Sequence, residues 1–334
     1  MKIVIDAFGG DNAPLSNIEG AAMAVKEYNA DIILCGAEEK IIHCAEENNI
    51  SLDGIEILHA DEVFDVHDDP NLLLKSKSNT SMAVAFKAVK DGIADAIISA
   101  GSSGAVLMGG TFIVKRIRGI KRPAFAMALP TTAENPYLLI DMGANIDCRP
   151  EVLEQFALIG SVYMKNVMNI EKPKVGLINI GAEDTKGGEN LVETHKRLSQ
   201  SDLNFVGNVE PRDLNSGVCD VAVCDGFTGN VVLKLTEGVA GTMMKLVKGV
   251  FAKNIFSKIA AAMVMSGLKS LKKKFDYSEY GGAPLMGVKA PVIKAHGSSD
   301  SKAIKNAVKQ AMDFSNTGVI DQIEKALKGE KENG

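Results

Sequence analysis

Seven times in this chain a short β-branched run ends in a glycine-rich turn carrying small polar residues, and a helical stretch follows. The units are IVIDAFGGDNAP, DIILCGAEEK, DAIISAGSSGAVL, YLLIDMGANIDCRP, KVGLINIGAEDTKGGE, DVAVCDGFTGNVV and PVIKAHGSSDSKAI. Strands alternating with helices point to an α/β fold, a mostly parallel, doubly wound sheet covered on both faces. Val175–Ile180 and Val221–Cys224 are apolar on both alternating faces, as buried parallel strands should be. Pro14 and Pro150 sit where a first helical turn tolerates proline. With 334 residues, a single α/β unit over 1–330, in one body or two lobes, is expected. The terminal KGEKENG (328–334) reads as a frayed tail.

Seven such strand ends are expected to gather at the carboxyl edge of one sheet, where open α/β sheets bind ligands. Small residues let backbone amides approach a ligand, and each following helix turns its positive end toward it. That arrangement suits an anion with several oxygens, such as phosphate. Candidate anion-binding positions are Gly9, Gly10, Asp11 and Asn12 in the first turn and Gly101, Ser102, Ser103 and Gly104 in the third. Alone, either serine reads as a helix cap. Asp6, Asp141 and Asp225 end strands, where an aspartate commonly holds its own turn. Lys186 lies among glycines, and its ammonium is within reach of a phosphate in that turn. Asn230 and Lys234 follow DGFTGN, and a lysine near a positive helix end hints at an anionic ligand. His296, after PVIKA and before G-S-S, is open to a catalytic or a capping role.

Other chemistries are disfavoured. The net charge of −5 argues against a general nucleic-acid binder. There is no P-loop lysine motif, no G-x-S-x-G elbow and no H-E-x-x-H. His43, His59, His67 and His195 read as structural or exposed, and no metal is expected. Cys35, Cys44, Cys148, Cys219 and Cys224 form no C-x-x-C and read as reduced, mostly buried thiols. Cys219 and Cys224, placed on one strand, are expected to face opposite ways. Asp6 breaks the first apolar run, so no signal peptide is read and a cytoplasmic protein is expected. The apolar run Ile259–Met265 is too short to span a bilayer.

One region departs from the pattern. Lys245 to Phe275 holds eight lysines and no acid, while Val247, Phe251, Ile255, Ile259 and Met263 recur at helical spacing. This basic helical excursion (239–280) reads as a helix pair packed on a dimer partner, or as a surface for anionic lipid.

In order, DAFGGDNAP, SAGSSGA, DMGAN, NIGAEDTKG, DGFTGNVVLK and YGGAPLMGVKAPVIKAHGSS closely resemble the bacterial phosphate acyltransferases of phospholipid synthesis, from Met1 to about Gln310. The resemblance implies the fold of isocitrate and isopropylmalate dehydrogenases and phosphate acetyltransferases. It implies transfer of a fatty acyl group from acyl carrier protein to inorganic phosphate, with no cofactor. It also implies a homodimer, peripheral membrane association and delivery of acyl phosphate to a membrane glycerol-phosphate acyltransferase. Asn145 of DMGAN joins the substrate-binding candidates on this basis. Two positions depart: Ser102 and Ser103 replace the usual Asn-Thr, and Phe8 replaces a methionine.

For such a family, the 245–275 segment becomes a membrane-contacting tip, with Phe251, Ile255, Ile259 and Met263 inserting and Lys272, Lys273 and Lys274 meeting anionic headgroups. Acyl carrier protein is acidic, so these lysines are also expected to dock it. Phosphate is already a nucleophile and a thioester an activated donor, so turns with free amides suffice. The expected roles are phosphate binding for Lys186 and the 101–104 turn, proton handling for His296 or Asp225, and oxyanion donation for Asn230. The alternatives are a metal- and NAD-dependent dehydrogenase of the same fold and a membrane-docking scaffold for lipid enzymes.

Overall fold

The structure is a computed structural model and describes residues 1–274 and 281–332. Its strands are β1 Lys2–Asp6, β2 Asp31–Gly36, β3 Ile55–His59, β4 Ala96–Ser99, β5 Ala124–Leu129, β6 Tyr137–Ile140, β7 Val175–Ile178, β8 Phe205–Val209, β9 Val221–Val223, β10 Ala283–Met286 and β11 Val292–Lys294. Its helices are α1 Leu15–Tyr28, α2 Glu38–Glu47, α3 Ser81–Lys90, α4 Ser103–Met108, α5 Pro150–Asn166, α6 Glu189–Ser199, α7 Gly226–Ala252, α8 Ile255–Lys274, α9 Ser301–Asn316 and α10 Val319–Glu332.

All strands join one 11-stranded sheet, ordered β3-β2-β1-β4-β11-β10-β5-β6-β9-β7-β8. Pairing is parallel from β3 to β11 and again from β6 to β8. Between these blocks β11–β10, β10–β5 and β5–β6 are antiparallel. Three reversals leave the two parallel blocks running in opposite directions. The seven glycine-rich turns therefore do not share one carboxyl edge, as expected from sequence. They form two groups, at the ends of β1, β2, β4 and β11 and at the ends of β6, β7 and β9.

Helices cover both faces. α3 and α4 seal a core that includes Val4, Ile97, Phe86 and Leu285, while α1 and α9 seal Ile3, Ile5, Ile98 and Ile293 from the other side. α5 and α10 cover Ile140, Val223 and Val175. Gly20 lets α1 and α9 meet, since a Cβ there would lie 2.6 Å from the Ile304 Cβ. The five cysteines are free, and all but Cys44 are buried. Cys219 and Cys224 share one core layer rather than facing apart, because β9 is only three residues long and strict alternation stops at its ends.

The basic excursion is the distal part of α7 followed by α8, with the Asn254 side chain accepting from the Ser257 amide at the start of α8. Ile255, Ile259 and Met263 are exposed and Phe251 is half-buried. The side chains of Lys272, Lys273 and Lys274 lie outside the described residues, as does Phe275. α10 continues to Glu332, so helix occupies most of the segment read as a frayed tail. Among the described residues no helix is long and apolar enough to cross a membrane.

Candidate active site

The first group of turns is built on Asp6. This buried carboxylate accepts from Ser81 Oγ at 2.6 Å and Ser99 Oγ at 2.7 Å, tying β1 to α3 and β4. Burial pushes its pKa up, against the pull of the serine hydroxyls and the Lys294 charge. Asn17, also buried, donates to the carbonyls of Asp6, Ala7 and Gly9 and sets the path of the turn. A Cβ on Gly9 would lie 2.6 Å from Asp6 Oδ2 and 2.8 Å from the Gly101 nitrogen, so the two glycine turns touch backbone to backbone. Gly10 has φ +100, which glycine adopts without strain.

The turn after β11 completes this group. Asp11 N–H donates to the Gly297 carbonyl at 2.7 Å, and Asn12 Nδ2 donates to the Ser298 and Ser299 carbonyls. Asp11 and Asn12 thus shape the turn with their backbone and amide. Ser102 occupies the cap position of α4 without a side-chain cap bond, so the capping reading does not hold for it. Ser103 is the first residue of α4, and Gly104 packs against Pro70.

Two basic side chains enter here. Lys294, at the end of β11, is half-buried, and its ammonium donates to the carbonyls of Ala100 (3.4 Å) and Ala295. Burial lowers its pKa to about 8, with Asp11 and Asp6 opposing and Lys234 reinforcing. Sequence reading passed over Lys294; the available signal was a single charge inside the apolar strand PVIKA. His296 Nδ1 accepts from Ser298 N–H at 3.2 Å, which leaves the neutral ring with its hydrogen on Nε2. Burial first, then the Lys234 charge, lowers its pKa below 6.5.

The second group centres on Asp141. Its Oδ1 accepts from the amides of Phe125, Gly143 and Ala144, and its Oδ2 from Asn145 N and Nδ2. Asn145 is buried, with its amide bound also to the Pro123 carbonyl at 2.7 Å, so it holds the turn rather than facing a ligand. Asp225 caps α7, its Oδ1 accepting from Thr228 N–H at 2.7 Å. This bond gives Asp225 a structural use as the cap of α7.

Asn230 lies over Gly143, where a Cβ would sit 3.4 Å from its Nδ2. Lys234 lies beyond the first turn of α7, where the helix dipole no longer opposes it, and pairs with Glu237 at 3.3 Å. Through the charges of Lys234 and Glu237, α7 reaches Lys294 and His296. α7 thus starts in the second group of turns and brings the charge of Lys234 within electrostatic range of the first.

Lys186 lies on the turn after β7, in the second group. Its backbone is fixed by Asn179 and Glu183, but its side chain is exposed on the loop after β7. β7 lies six strand positions from β4, roughly 29 Å along the sheet. The structure does not bring Lys186 to the 101–104 turn. The other histidines also lie away: His43 pairs with Glu47, His59 with Asp61, His195 stacks edge-on against Phe205, and His67 is exposed.

A face of α7 beside Asn230 borders an apolar groove of about 830 Å³ that includes Phe227, Val231, Leu235, Val239 and Met243. These five side chains are more than half exposed, at a spacing of four residues.

The sequence profile described as fatty acid synthesis protein matches residues 1–322. A phosphate acyltransferase of Alkaliphilus oremlandii is 49% identical over 98% of this chain and 97% of its own length. Those of Clostridioides difficile (46%, covering 97% and 95%) and Bacillus licheniformis (47%, covering 98% of each) are similarly close. Among solved structures, a phosphotransacetylase from Streptococcus pyogenes superposes with a TM-score of 0.65 at 18% identity, covering 96% and 94% of the two chains. A putative 4-hydroxythreonine-4-phosphate dehydrogenase from Salmonella typhimurium gives 0.51 at 14% identity, covering 94% and 99%. The dehydrogenase neighbour shares the fold alone, whereas near-full-length identity approaching one half carries the enzyme class: the chain is an acyltransferase and belongs to the phosphate acyltransferase family.

Proposed function

We propose that the chain moves a fatty acyl group from acyl carrier protein thioester to inorganic phosphate, giving an acyl phosphate for phospholipid synthesis. The observation that carries this reading is the first group of turns, where two glycine turns meet backbone to backbone beside the partly desolvated Lys294 ammonium. The start of α4 beside a fixed cation suits a phosphate oxyanion.

A phosphate oxygen attacks the thioester carbonyl carbon, and the tetrahedral intermediate collapses with the C–S electron pair passing to sulfur. Lys294, with a pKa of about 8, donates a proton to the departing thiolate and regains one from the attacking phosphate. His296 Nε2–H holds a phosphate oxygen, Lys234 lends charge from α7, and Asn230 Nδ2 faces the developing oxyanion. No covalent enzyme intermediate is required.

The exposed apolar face of α7 is assigned to a second copy in a homodimer, since a contiguous apolar patch on a helix marks an interaction surface. The distal α7–α8 pair contacts the anionic membrane surface, holding a cytoplasmic enzyme peripherally beside the membrane glycerol-phosphate acyltransferase that consumes its product. Incubation with acyl carrier protein thioester and phosphate, then trapping with hydroxylamine, is expected to yield phosphate-dependent hydroxamate. Its absence overturns the reading.

A further inference from the structure

A second cationic feature lies outside the turns. The stretch KRIRGIKR, Lys115 to Arg122, contains five cations and no acid, in a chain whose net charge is −5. It holds three of the six arginines. With Lys289 it lines a shallow cavity of about 440 Å³, walled by Lys115, Arg116, Arg118 and Lys289 and floored by Ile117 and Ile120 beside exposed Phe112. No acidic residue lines it.

The loop is held rigidly. Ile117 N–H donates to the Gly287 carbonyl and Lys289 N–H to the Lys115 carbonyl. Gln155 of α5 brackets it, accepting from Lys121 N–H and donating to the Gly119 carbonyl. The cations are thus presented on a fixed frame, which lowers the ordering cost of binding.

Its position relates it to the site. Arg122 donates to the Asp147 carbonyl, just past the DMGAN turn. α4 starts at the GSSG turn and continues without a break through a π-helical segment, Gly109–Lys115, into the patch. Six residues of one and seven of the other span roughly 20 Å. A thioester borne on a flexible prosthetic arm needs its carrier held at such a remove from the reacting carbon. By contrast, Lys245 lies about 30 Å along α7 from its capped end.

We infer that the Lys115–Arg122 loop and Lys289 form the docking surface for the acidic carrier protein, in place of the lysines of the α7–α8 pair. The inference rests on the reading of the chain as a carrier-protein acyltransferase. Acidic side chains of the carrier meet the cations, and its apolar contacts meet the exposed Phe112. Such pairing sets association rate and salt dependence more than the chemical step.

The test compares the full chain with a triple variant, Lys115→Glu, Arg118→Glu and Lys289→Glu. All three side chains are exposed. Binding of holo acyl carrier protein is measured by fluorescence anisotropy at low and high salt. The variant is expected to bind about tenfold or more weakly and to lose the salt dependence. Its turnover of an acyl-pantetheine thioester, which lacks the carrier, stays at the wild-type value. A second triple, Lys245→Glu, Lys248→Glu and Lys253→Glu, keeps wild-type carrier binding. Unchanged binding in the first triple, lost binding in the second alone, or an equal loss of pantetheine turnover overturns the docking assignment. If the wild type binds the carrier through this patch yet makes no acyl phosphate, the proposed reaction fails and the docking surface stands.

Discussion

Replacing Lys294 with methionine separates its role in the reaction from its role in the fold. The substitution keeps the length and apolar stem of the side chain and removes the ammonium. In the folded chain burial lowers the pKa from 10.5 to about 8. That interval corresponds to a cost of about 3 kcal/mol for holding the charge in place. The sign follows from proton counting. Below pH 8 the lysine is charged in both folded and unfolded states and the full cost is present. Between about 8 and 10.5 the unfolded chain binds a proton that the native chain lacks, so native stability rises with pH and the cost disappears. Lys294→Met is therefore expected to be more stable than wild type at neutral pH by up to about 3 kcal/mol, with the gap closing toward pH 10.5. Urea denaturation across that range reads the difference. The hydroxamate assay on the same samples is expected to show kcat/KM for phosphate lower by about 10²-fold, the usual loss when a preorganised charge is removed from a transition state. Wild-type activity should also decline as pH rises past about 8. A methionine variant that is less stable at neutral pH, or that turns over at nearly the wild-type rate, refutes the reasoning.

Gly229→Ala tests how α7 is seated: the new Cβ would lie 1.9 Å from the Asp141 carbonyl oxygen, so the helix must lift. A loss of about 1–3 kcal/mol in stability is expected, with a larger loss of turnover than Ala substitutions further along α7 produce. Lys186→Ala should change kcat/KM by no more than a few-fold, since its exposed side chain is separated from the 101–104 turn by six strand positions. Leu235→Glu places a charge on the exposed apolar face of α7, and light scattering is expected to report a monomer where the wild type reports a dimer.

The strands that sequence reading found are those followed by a glycine-rich turn: β1, β2, β4, β6, β7, β9 and β11. The others, β3, β5, β8 and β10, lack that mark. The omission matters most at β5 and β10, because they carry the reversals in the middle of the sheet. β10 is APLM, and a proline in a central strand argues against one on local grounds; here Pro284 pairs with Ile293 at the antiparallel junction. Strand direction is set by pairing between residues far apart in sequence, about which turn chemistry says nothing. The motif positions were therefore legible, while their distribution over two opposed edges was not.

The same distinction separates the site residues. Gly9, Gly10 and Gly101 announce themselves because close approach of two backbones admits only glycine. Asp225 and Asn145 sit in motifs just as recognisable, yet their side chains are committed to Thr228 N–H and to Asp141 and Pro123. A motif records that a turn is constrained, and turn-building constrains a residue as tightly as ligand binding does. Lys294 shows the converse, a charge without a motif, whose importance arises only when β11 is laid beside β4 and Asp11 closes over it. With the two parallel blocks opposed, the turns cannot meet along the sheet. α7 links them, held at Asp141 by Gly226 and Gly229, with Asn230 over Gly143 and the Lys234 charge within range of Lys294 and His296. The Asp141 hub therefore fixes how α7 leaves the sheet, and with it where the proposed site residues Asn230 and Lys234 sit.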